Sequence, residues 1–70
     1  MPRFPDVPHL RAVGALEKAG FQIIRQGNHV VMSNGSRTVV VPRHNPVNAF
    51  TMGAIIRDAG LSIDEFSKLL

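Results

Sequence analysis

The stretch RQGNHVVMSNGSRTVVVPRH, from Arg25 to His44, holds three arginines, two histidines and no acid, set among runs of valine. An imidazole titrates near neutral pH and can take up or release a proton, whereas a guanidinium is a permanent cation shaped to grip the oxygens of phosphate or carboxylate. Side by side they suit an anionic substrate with a titratable group placed to act on it. The plainer reading is a hairpin whose charged ends are simply solvated.

Charge is distributed unevenly along the chain. All five acids, Asp6, Glu17, Asp58, Asp64 and Glu65, lie in the terminal segments, and the stretch from Ala19 to Arg57 carries Arg25, Arg37, Arg43, Arg57, His29 and His44 with none. With a formal net charge of +3, this favours a polyanionic partner. Hydrolysis by paired carboxylates and clamping of Mg²⁺ both need acids that the central region lacks. The three histidines do not have zinc spacing, and the absence of cysteine removes thiolate metal sites and disulfides. No metal or cofactor is expected.

Seventy residues make one domain, 1–70, near the lower limit at which packing alone offsets chain entropy. The start, MPRFPDVPHL, has no continuous apolar run and three prolines, and no segment reaches membrane-spanning length. The expectation is a cytoplasmic protein with no membrane partner. The sequence sets no oligomeric state for the free chain.

The elements that must position the basic residues are legible in outline. Leu10 to Ala19 has helical spacing, with Leu10, Val13, Leu16 and Ala12 as its apolar stripe, Pro8 in the first turn and Gly20 as the stop. Gly14 in this helix serves close packing or nothing. FQIIRQ, HVVM and RTVVV follow, rich in β-branched residues and divided by GN and SNGS, an antiparallel meander. Because side chains alternate along a strand, Val30 with Val31, and Val39 with Val40 and Val41, place apolar groups on both faces of the sheet. Helices can cover one face, and a second molecule is expected on the other. FTMGAIIRDAG then reads as a helix with Thr51 as N-cap and Gly60 as stop, and Ser62 with Glu65 forms a capping box for a short last helix bearing Ile63, Phe66, Leu69 and Leu70. The fold class is α+β, αβββα with an added C-terminal helical turn and a three-stranded antiparallel sheet packed on helices.

Taken in order, LEKAGFQIIRQGNH, VVVPRH, TMGAIIRDAGLS and EFSKLL resemble the HicA-type, or YcfA-like, family of mRNA interferase toxins over nearly the whole chain from about Val7. The resemblance implies a fold like that of double-stranded-RNA-binding domains, and RNA cleavage without a metal by a histidine that usually follows Gly-Ser. Here His29 holds that position, after Gly27 and Asn28, so asparagine stands in place of the usual serine. Phe50, where glycine is common, and Gly53, where a polar or basic residue is common, are further departures. The resemblance also implies two partners: mRNA, and a HicB-type antitoxin protein that covers the basic site.

Metal-free cleavage can use the RNA's own 2′-OH as nucleophile, which calls for a base of near-neutral pKa, donors for the developing phosphorane charge and a proton for the leaving oxygen. His29 is the candidate base. Arg25, Arg37, Arg43 and His44 are candidate phosphate ligands, with His44 also a candidate acid. Plainer roles stand beside most of them: a strand-entry residue without catalytic part for His29, an ion pair with Glu17 or simple solvation for Arg25, a turn-end surface charge for Arg37, a loop hydrogen bond for His44, helix-end surface for His9 and support of its own helix end for Arg57. Two other functions fit the same residues, a module that holds RNA without cutting it and a protein whose basic sheet docks an acidic partner.

Overall fold

The computed structural model describes residues 7–70; the reading of the first six residues, with Asp6, lies outside them. Helix α1 (His9–Lys18) leads into strands β1 (Gln22–Gln26), β2 (His29–Ser33) and β3 (Thr38–Pro42), followed by α2 (Ala49–Asp58) and α3 (Ile63–Leu69). The strands form one antiparallel sheet in the order β1-β2-β3, so helices flank it in sequence on each side. This is the expected α+β architecture, αβββαα with α3 as the added element.

Both longer helices end alike, for the same physical reason. Gly20 at φ 98° and Gly60 at φ 76° take the left-handed conformation that only glycine enters freely. The chain then folds back, with Phe21 N–H donating to the Leu16 carbonyl and Gly20 N–H to Glu17, and Leu61 N–H to Ile56 and Gly60 N–H to Arg57. The start of α2 differs from expectation. Asn48, not Thr51, is its N-cap, and its side chain accepts the Thr51 N–H at 2.9 Å. An asparagine outside the helix can turn its oxygen onto the first turn, which a threonine already in helical conformation cannot do. The capping box of α3 is as expected: Ser62 Oγ accepts from Glu65 N–H, and Glu65 Oε1 from Ser62 N–H. Those bonds to Ser62 hold the Glu65 carboxyl below the usual carboxylate range.

One core unites the helices with one face of the sheet. Val30, Met32, Val39 and Val41 point into it and meet Leu16, Phe21, Met52, Ile55, Ile56 and Phe66, and among the described residues no polar or charged side chain is buried. Two residues expected in the apolar stripes stay outside. Leu10 is 69% exposed and Ile63 52%, because each sits in the first turn of its helix, short of the covering neighbour. A side chain at Gly14 would meet nothing within 4 Å, which settles that residue's role as none in packing. No helix among the described residues is long and apolar enough to cross a membrane.

Candidate anion-binding face

The face of the sheet turned away from the helices follows from the ladder register. β2 and β3 pair as His29 with Pro42, Val30 with Val41, Val31 with Val40, Met32 with Val39 and Ser33 with Thr38. With Val30, Met32, Val39 and Val41 in the core, His29, Val31 and Val40 must project outward. Val40 is 49% exposed and Val31 half-buried, so the apolar groups expected on the second face are there and no helix covers them.

Arg25 reaches this face by an irregularity. Ile23 pairs with Met32, a core residue, and regular alternation would send Arg25, two residues on, to the same side. The register instead shifts between Ile23 and Arg25, so that Ile24 is a bulge and Arg25 pairs with outward-facing Val31. One extra residue in β1 therefore carries a cation from the core side to the open side. Arg25, Gly27, Asn28, His29, Val31 and Val40 together line a hollow of about 360 Å³.

Within that hollow the imidazole and the guanidinium are both available to a ligand. His29 is exposed at the entry to β2, and neither its ring nor the Arg25 guanidinium makes a hydrogen bond or ion pair among the described residues. Glu17 is thus not a partner of Arg25. No acid lines the hollow, so no like charge opposes an anion brought in beside Arg25. Among the described residues no group of three histidines or acids could hold a metal ion.

The remaining candidates lie elsewhere. Arg37 follows the turn beyond the far end of β2, an end that is itself about 13 Å from His29 at ~3.3 Å per strand residue. Its Nη1 donates to the Asp58 carbonyl at 3.4 Å and its side chain lies over Gly60, so it closes the C-terminal end of α2. His44 lines a separate, smaller hollow of about 170 Å³ with Pro42, Pro46, Val47, Asn48 and Thr51. Arg43 sits between the two, its Nε donating to the Gly27 carbonyl at 2.8 Å and its Nη2 to Gln26 Oε1 at 3.2 Å.

Two features were not legible as such. His9, expected as plain surface, joins the start of α1 to the loop after β3: Asn45 Oδ1 accepts from the His9 backbone N–H at 3.1 Å and lies 2.8 Å from Nδ1. A backbone N–H can only donate, so the amide oxygen faces it and Nδ1 must carry a proton. Phe50 is 96% exposed, whereas Phe21 and Phe66 are buried. At most one described aromatic can therefore stack on a base, and charge rather than stacking must supply affinity for any nucleic acid.

Residues 11–61, more than half of the chain and containing all five candidate site residues, match the family model described as HicA toxin of bacterial toxin-antitoxin. No curated protein matches the chain, and no solved structure does.

Proposed function

The chain belongs to the HicA toxin family of bacterial toxin–antitoxin systems, and we propose that it is a metal-independent endoribonuclease that cleaves mRNA in the cytoplasm. The observation that supports this most is the hollow that His29 and Arg25 line together above Val31 and Val40, neither side chain bonded among the described residues and no acid in the lining. His29 takes the proton of the 2′-OH. The oxygen then attacks phosphorus, the bond from phosphorus to the 5′-oxygen breaks, and Arg25 offsets the charge gathering on the non-bridging oxygens. His44 is set apart from the hollow, so in this scheme water protonates the leaving 5′-oxygen.

The products of that route are a 2′,3′-cyclic phosphate and a 5′-OH, formed at the same rate in EDTA. An RNA with a single 2′-deoxy residue at the cut site is expected to resist cleavage there. Loss of cleavage in EDTA, or cleavage of the deoxy substrate, would replace this scheme with a water nucleophile and a metal. RNA bound but never cut would favour the non-catalytic module.

The open face also suits the antitoxin. Val31, Val40 and the 61%-exposed Ile24 form an apolar strip edged by Arg25 and His29, and a HicB-type protein offering apolar side chains rimmed with Asp and Glu would fit it and exclude RNA. Cleavage is expected to fall in proportion to complex formed. Full activity in the saturated complex would place the antitoxin on another surface.

A further inference from the structure

The weak point of the candidate site is the hold on the residue that does the chemistry. His29 opens β2, and its partner across the ladder is Pro42. Bonded rungs alternate along this ladder from the Asn34 N–H donated to the Arg37 carbonyl, which leaves the His29–Pro42 rung without hydrogen bonds and turns the His29 carbonyl away from β3. That carbonyl accepts instead from Gly27 N–H at 3.1 Å, a bond internal to the turn. The turn itself is two exposed residues, Gly27 and Asn28, and a side chain at Gly27 would touch nothing within 4 Å. Packing does not fix it.

Arg43 does. It follows Pro42 directly and reaches back past His29 to the turn, where Nε donates to the Gly27 carbonyl and Nη2 to Gln26 Oε1. Gly27 is thereby tied at both ends, its N–H to His29 and its carbonyl to Arg43. We infer that Arg43 is a positioning residue, which fixes the turn and with it the direction of the His29 ring, in place of the phosphate-ligand role that its charge alone suggests. The inference rests on the nuclease reading for its kinetic consequence, and on the geometry alone for its structural one.

A planar guanidinium can make both bonds at once, whereas the ammonium of lysine keeps the charge without the fork. The two roles thus separate by substitution. For the purified full chain acting on a short RNA, Arg43→Lys and Arg43→Ala are both expected to lower kcat by about 10- to 100-fold with KM within about twofold, the signature of a misdirected catalytic group. Gln26→Ala, which removes one of the two bonds, should move kcat the same way by less. Arg25 supplies the contrast: Arg25→Ala should weaken RNA binding and reduce the dependence of log K on log salt by about one, with Arg25→Lys restoring most of both. Amide hydrogen exchange in the same samples should quicken at Gly27 and His29 in the Arg43 variants and stay unchanged at Met32.

Wild-type kcat in Arg43→Lys, or a change confined to KM and salt dependence, would overturn the inference and return Arg43 to the phosphate. Absence of cleavage by the wild type would defeat the nuclease reading instead. Exchange then decides alone: faster exchange at Gly27 and His29 in Arg43→Lys upholds the clamp, and unchanged exchange removes it.

Discussion

Replacement of His29 by alanine is expected to lower RNA cleavage by about 10²- to 10⁴-fold, the range that loss of a general base commonly costs. The protein should meanwhile remain folded, because the side chain is exposed and unbonded among the described residues, and surface substitutions of that kind stay within about 0.5 kcal/mol. Cleavage rates in EDTA, read beside a urea unfolding curve for both proteins, separate catalysis from stability. His44→Ala is the control, since its hollow is separate from that of His29. Equal cleavage by wild type and His29→Ala would take His29 out of the mechanism, and a larger loss in His44→Ala would move the base to the second hollow.

The largest effect on stability is expected at Phe66, in α3, beyond the residues that match the family model. Its ring is completely buried, and Leu61, Leu69 and Leu70 pack against the same core. Lys18 Nζ further ties α1 to α3 by donating to the Leu69 carbonyl at 3.2 Å. Phe66→Ala should therefore cost about 3–5 kcal/mol, the range for a large ring lost from a packed interior. Small domains sit low in the usual range of about 5–15 kcal/mol, so most of the margin would go. A urea midpoint showing a loss under about 1 kcal/mol would mean that α3 is an appendage rather than part of the fold.

The helix stops, the three strands and the capping box could be read from the sequence because each is fixed by neighbours a few residues away. Gly20 and Gly60 end their helices through local backbone freedom, and Ser62 meets Glu65 within one turn. What escaped depends on distance in the chain. Leu10 has the spacing of a core residue, but exposure is set by where the covering elements end. The outward facing of Arg25 hangs on a bulge at Ile24, and a single residue inserted in a strand leaves no mark in a pattern of period two. Arg37 and Arg43 have the same side chain and similar settings at the ends of β3. Only tertiary structure sends one to the end of α2 and the other to the turn before His29.

The same irregularity in β1 bears on what the sheet does with its rims. An open three-stranded sheet leaves two edges whose backbone groups could recruit a strand from another molecule, the route by which small β-rich proteins aggregate. On one rim the extra residue at Ile24 breaks the even spacing that an incoming strand would need. On the other, Pro42 withholds a donor where β3 would otherwise continue. Neither edge is a good template, so growth by strand addition is discouraged without a cap on either side. Under the proposed reading, docking would be directed to the broad face, where an occupant would compete for the groups that would meet RNA.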